Sequence, residues 1–100
     1  MSKKAILFIS FEIKKGVSVE DFMAAAEKVH TEIMSKQKGF ISWNQLTVED
    51  TWADMITFET MGDAENALHA GGENPVAHAF FDLLDMPSVT TRIYTVEKSH

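Results

Sequence analysis

Four histidines and no cysteine define the nucleophilic and ligating chemistry open to this chain. Without thiols, disulfides, thiolate metal sites and a cysteine nucleophile are all excluded. Helical position separates the histidines. At about 100° per residue, His30 falls in the middle of an apolar arc made by Val19, Met23, Ala26, Ile33 and Met34. It should point at a sheet, where an imidazole must find a partner or a cavity because burying it unpaired is costly. Two roles stay open for it: a general base in a ligand pocket, or a core histidine satisfied by a nearby hydroxyl or carbonyl. His78 is the second candidate; it lies across its helix from Val76 and Phe80 with Asp82 four residues on, the pattern of an exposed histidine beside an acid. His69 sits on a polar arc before Gly71-Gly72, and His100 is the last residue. No two histidines have HxxxH or HxH spacing and no carboxylates gather around them, so no metal site is expected.

Other side chains could shape a pocket. Trp43 and Trp52 read as core aromatics, with the lining of an aromatic-ligand site as the compatible alternative. Met23, Met34 and Met55 are gap fillers or walls of an adaptable pocket. There is no P-loop, GxGxxG or GxSxG motif, and Gly71-Gly72 has no preceding strand to make it a phosphate cradle. The acidic pairs Glu20-Asp21 and Glu49-Asp50 belong to caps and turns. With 15 acidic against 9 basic residues and a net charge of -6, the surface should repel phosphate backbones, so no nucleic acid partner is expected. No apolar run approaches a membrane span. Met1-Ser2-Lys3-Lys4 leads into a run interrupted by Ser10 and Glu12 with no small-residue cleavage site, which argues against a signal peptide and for a cytoplasmic protein.

The elements that must position these residues follow from the order of hydrophobic periods: strand, helix, strand, strand, helix, strand over 100 residues. That order predicts a single domain, 1–100, with the ferredoxin-like α+β sandwich: a four-stranded antiparallel sheet and helices on one face. The first strand spans Ala5 to Ile13. Ser18 and Asp21 open a helix that runs to Lys36, and Gly39 stops it. Strands follow at about Phe40 to Val48 and Thr51 to Glu59, joined by Glu49-Asp50 as a tight hairpin. If Val48 pairs with Thr51, then Ile41, Trp43, Trp52, Ile56 and Phe58 face the helices, and Ser42, Asn44, Leu46, Met55 and Thr57 face away. The second helix starts near Thr60 or Asp63, breaks at Gly71-Gly72 and restarts at Asn74-Pro75. Val76, Phe80, Phe81, Leu83 and Leu84 form its apolar side, Pro87 ends it, and Ser88 to Glu97 is the last strand. In the first strand Ile6 and Phe8 make the second face apolar as well, which predicts that a second copy of the sheet covers it in a homodimer.

Gly39-Phe40 entering the second strand, Thr57-Phe58-Glu59 leading into the second helix, and Asn74-Pro75-Val76-Ala77-His78-Ala79-Phe80 before a β-rich final strand add to that element order. On these patterns the chain resembles the antibiotic-biosynthesis-monooxygenase-like (ABM) group of dimeric α+β barrel proteins over nearly its whole length. The resemblance implies a homodimer whose two sheets form a barrel, with a small aromatic or polycyclic ligand held between sheet and helices. It implies oxidation of a quinol-like compound with no cofactor, neither metal nor flavin. His30 would be the general base, and Met23, Trp43, Phe58 and Phe80 the pocket walls. A heme-degrading branch is similar at His78, which would fall where those enzymes keep their iron-binding histidine. Where that branch has a tryptophan, however, this chain has Ala67-Leu68, and its first strand has no asparagine, so heme is not expected as the native cofactor. The alternatives are a non-catalytic small-molecule-binding or stress-associated dimer, in which His30 is only structural, and a heme-binding relative. A pocket beside His30 would favour catalysis, and a filled core would favour the structural role.

Overall fold

In the computed structural model, which describes residues 3–100, the elements are β1 (Ala5–Ile13), α1 (Val19–Glu32), one turn of 3₁₀ helix (Met34–Lys36), β2 (Phe40–Val48), β3 (Thr51–Phe58), α2 (Met61–His69), α3 (Pro75–Phe81) and β4 (Leu84–Thr95). The reading of Met1-Ser2 as part of a leaderless start lies outside the described residues. The strands form one antiparallel sheet in the order β2-β3-β1-β4, with the helices packed on one face. This is the ferredoxin-like sandwich, its second helical stretch divided at Gly71-Gly72.

Local chemistry sets the helix starts. Ser18 Oγ accepts from the Asp21 N–H at 3.1 Å and Thr60 Oγ1 from the Asp63 N–H at 3.1 Å. Asn74 Oδ1 accepts from the Val76 N–H at 2.8 Å, with Pro75 at the first helical position, where no N–H is needed. The β2–β3 hairpin has the expected two-residue loop. Val48 pairs with Thr51, and Glu49 supplies the positive φ, 52°, that a glycine would usually provide.

Two expectations are corrected. Ile41 does not face the helices: the register slips between Phe40 and Ser42, so Phe40 lies opposite Phe58 and Ile41, the extra residue of a bulge, is 40% exposed. Nor do Leu83 and Leu84 extend the last helix. The Lys14 N–H bonds the Leu83 carbonyl at 2.9 Å and Leu84 pairs with Ile13, so β4 begins before Pro87. Its ladder with β1 runs from Glu12–Asp85 directly to Ser10–Thr90, leaving residues 86–89 as an excursion opposite the single residue Phe11. Pro87, which has no N–H to give a ladder, sits in that excursion. Ser88 Oγ pins it by accepting from the Glu12 N–H at 2.8 Å and donating to the Asp85 carbonyl.

The core has two parts. Ala5, Leu7, Met34, Ile56, Phe58, Ala64 and Ala67 pack under α2, while Phe11, Phe22, Ala26, Val29, Phe80 and Leu84 pack under α1 and α3. Ile9 and Trp43 touch both. On the open sheet face Phe8 meets Tyr94 edge-on with ring centroids 6.2 Å apart, and Ile6 and Met55 are half-buried beside them.

Gly39 joins the helical layer to β2 with φ +79°, and a Cβ there would lie 2.1 Å from Asp63 Oδ2. Gly16 has φ +88° with nothing within 4 Å. Substituting Gly16→Ala should therefore cost only the left-handed conformation, about 1–2 kcal/mol. For Gly39→Ala, displacement of Asp63 adds to that, and the total should exceed about 2 kcal/mol. Urea denaturation of the two variants checks this, and equal losses would show that the Gly39–Asp63 contact carries no weight.

Candidate active site

Between the sheet and the helices lies an apolar cavity of about 240 Å³. Its floor crosses the sheet along a row set by the strand register, in which Gln45 pairs with Asp54, Asp54 with Ile9, and Ile9 with Thr91. Gln45 forms the edge of that row, and the cavity spans it from Asp54 to Thr91. The roof is α2 and α3, with Ala67, Ala77 and Phe80 facing down, and Val29 and Ile33 close one side. Asp54 is the one ionisable residue among the described residues that line it.

Asp54 is 3% exposed. Gln45 Nε2 donates to its Oδ1 at 3.2 Å. Burial among apolar side chains disfavours the carboxylate and raises its pKa from 3.8 to about 6; the Gln45 amide and, more weakly, the Trp43 indole pull the other way. The indole does so without completing a hydrogen bond, for Trp43 Nε1 is buried with no partner. At neutral pH the cavity thus holds a poorly solvated carboxylate beside an unused N–H donor. Both are unusual inside a folded protein.

His30 stands outside this cavity. It is half-buried on α1, its ring edge-on to Phe40 at 5.6 Å and to Trp43 at 6.0 Å. It lines an open groove of about 580 Å³ together with Met23, Glu20, Glu27, Trp43 and Gln45. Trp43 lines both spaces, so its indole and the Gln45 amide form the partition between the groove and Asp54. Of the residues singled out in the sequence, the fold brings Met23, His30 and Trp43 together in the groove and sets Phe80 in the cavity. Phe58 is fully buried, packed on Phe40 at 6.1 Å, and lines neither space. His78 is exposed and spans the helix break, its Nε2 2.7 Å from the Gly72 carbonyl oxygen. Sequence reasoning passed over Asp54, although one signal was present: it shares the parity of Trp52, Ile56 and Phe58, the residues of β3 that face the helices.

The raised carboxyl ties stability to pH. Between pH 4 and 6 the folded chain holds the Asp54 proton while the unfolded chain releases it, so this group's contribution, complete below pH 4, is lost as pH rises through about 6. The interval from 3.8 to about 6 corresponds to roughly 3 kcal/mol. Asp54→Asn should therefore gain on the parent as pH rises from 4 to 7, reaching roughly 2–3 kcal/mol by urea denaturation. A difference independent of pH would contradict this.

No protein-family model matches the sequence, and no curated protein matches it. Solved structures do match. SnoaB, a cofactor-independent oxygenase from Streptomyces nogalater, superposes with a TM-score of 0.78 at 15% identity, covering 98% of this chain and 97% of that one. A proposed antibiotic biosynthesis monooxygenase from Bordetella bronchiseptica gives a TM-score of 0.76 at 8% identity over 93% and 96% of the two chains. The hydroxynitrile lyase of Passiflora edulis gives 0.68 at 17% identity over 100% and 99%. At these identities the likeness establishes architecture, and the chain has the ferredoxin-like α+β fold of the antibiotic-biosynthesis-monooxygenase-like proteins.

Proposed function

We propose that this chain is a cofactor-independent oxygenase acting on a small hydroxylated aromatic, quinol-like compound bound between the sheet and the helices. The observation that carries the reading is the apolar cavity in which Asp54, the one ionisable group among the described residues that line it, faces an unpartnered Trp43 N–H. A phenolic hydroxyl both donates and accepts, so it satisfies the two at once. Asp54 takes the phenolic proton, and a base with a pKa near 6 is well matched to that task at neutral pH. Trp43 Nε1–H then donates to the oxyanion left behind, and the dry walls strengthen that interaction. The anion delocalises charge onto a ring carbon that bears hydrogen. Dioxygen adds at that carbon, and the proton on Asp54 completes a hydroperoxide. Loss of water leaves a carbonyl, so one oxygen atom enters the product, the other leaves as water, and the substrate supplies every electron. The fold shared with SnoaB, a cofactor-independent oxygenase, supports the reading.

His30, across Trp43 in the open groove, is the alternative base. Oxygen uptake with a panel of naphthols and quinols separates the two. Asp54→Asn should lower kcat by about 100-fold or more and His30→Gln by only a few-fold. The reverse outcome in folded proteins would move the chemistry to the groove. Retention of full turnover in both variants would remove general base catalysis by either residue.

The same reading includes a homodimer in which a second copy covers the sheet face bearing Ile6, Phe8, Met55 and Tyr94. Light scattering at micromolar concentration should give twice the chain mass of 11.2 kDa. Phe8→Arg, which sets a charge in that face, should give a monomer. A monomeric parent protein would end this part of the proposal.

A further inference from the structure

The cavity is asymmetric along its length. Its polar end is closed: Asp54 is 3% exposed and Trp43 Nε1 is buried. Its other end, toward β4, is open and greasy. Leu68 of α2, Phe81 of α3 and Met86 of the β4 excursion line the cavity and are also 39%, 43% and 53% exposed, so they form the rim of its mouth. Along the row Asp54–Ile9–Thr91, two strand spacings separate the acid from the β4 edge, about 10 Å. An apolar cavity of about 150 Å³ accepts benzene. At about 240 Å³ this one holds a ring with space beyond it, and that space leads to the rim. Among the described residues no lysine, arginine or histidine lines it, and a carboxylate ligand would meet Asp54 as a like charge. The complementary molecule is neutral, with one weakly acidic hydroxyl at one end and hydrocarbon at the other.

We propose that the native ligand is a phenol bearing an apolar substituent, bound head-in with its hydroxyl between Asp54 and Trp43 and its tail leaving between Leu68, Phe81 and Met86. The proposal rests on the reading of the cavity as the substrate site and adds to it an orientation and a tail. It assigns the rim residues to chain selection, leaving proton transfer to the buried end. Exposed apolar side chains from three separate elements converge there because the tail covers them on binding.

Binding of 4-methyl-, 4-butyl- and 4-octylphenol and their methyl ethers to the intact protein, followed by tryptophan fluorescence without oxygen, tests this. Affinity should rise about fourfold per methylene from methyl to butyl and rise further to octyl. Each phenol should bind about tenfold tighter than its ether, which cannot donate to Asp54. In a Phe81→Ala/Met86→Ser variant, 4-octylphenol should weaken about tenfold while 4-methylphenol is unchanged. Because these substitutions lie at exposed positions, the fold should persist, as a thermal melt will verify. Affinity that is flat or falling beyond methyl would overturn the tail, and equal binding of phenols and ethers would overturn the head-in orientation. Oxygen uptake is not part of the assay, so failure of the oxygenase reading leaves this result independent, and turnover of compact phenols with no gain from a chain would sink the tail alone.

Discussion

Three phenylalanines determine how the helical layer sits on the sheet. Phe11 of β1 meets Phe22 of α1 at 5.6 Å and Phe80 of α3 at 6.3 Å, and the two helical rings lie 5.5 Å from each other. Such tilted and edge-on contacts bury large apolar area and add about 0.5–1.5 kcal/mol per pair. Through them α1 and α3 pack on β1 ring against ring. At the other end of the layer α2 presents Ala64 and Ala67, both buried, and can close down on Leu7, Ile56 and Phe58. Between the ring-packed end and the alanine-packed end lies the cavity over Asp54, lined by residues of both core groups.

What lines that space is costly to the fold. A buried carboxyl with one amide partner and an indole N–H with none are groups that a sequence selected for stability alone would replace with aliphatic residues. The aromatic cluster and the ordinary sheet ladder offset the cost. The two unmet needs are also close together and opposite in sign, a donor and an acceptor, so one ligand atom can satisfy both. That arrangement is preorganised: the polar groups are aimed before ligand arrives, and the expense of holding them is met during folding.

The architecture was readable because period and punctuation agree along most of the chain. Ser18, Thr60 and Asn74 each do as caps what their positions imply, and Glu49-Asp50 makes the tight loop even without glycine. Errors came where a residue's neighbours across the sheet override its own pattern. Leu83 and Leu84 continue a helical spacing, but pairing with Lys14 and Ile13 draws them into β4. Ile41 has the right parity for the core until a bulge beside Gly39 inserts one residue and turns Phe40 inward. The site was half legible. Helical periodicity set His30 at the centre of the apolar arc, but the buried face of α1 is Phe22, Ala26 and Val29 with Val19 and Met23 exposed, so His30 stands at its flank, half-buried in the groove beside Met23 and Trp43. Periodicity could not show that Trp43 is a partition with a second, apolar space behind it. Asp54 was legible in principle, as an acid among inward-facing residues of β3, but only once the hairpin register was known; a polar residue in an alternating strand is otherwise assumed to face water.

The excursion of residues 86–89 is held by Ser88, which accepts from the Glu12 N–H, and by Val89, half-buried against the cluster that contains Phe11. Strand pairing resumes on both sides of it at fixed positions, Glu12–Asp85 and Ser10–Thr90. Inserting residues beside Met86 and Pro87 leaves both anchors in place, and even doubling the excursion would cost only about 0.6 kcal/mol in closure entropy. Met86 of the cavity mouth rides on this segment. Ligand preference can therefore drift over generations through changes of length beside Met86 and Pro87, the exposed half of the excursion, while the acid and the indole at the far end stay where the sheet holds them.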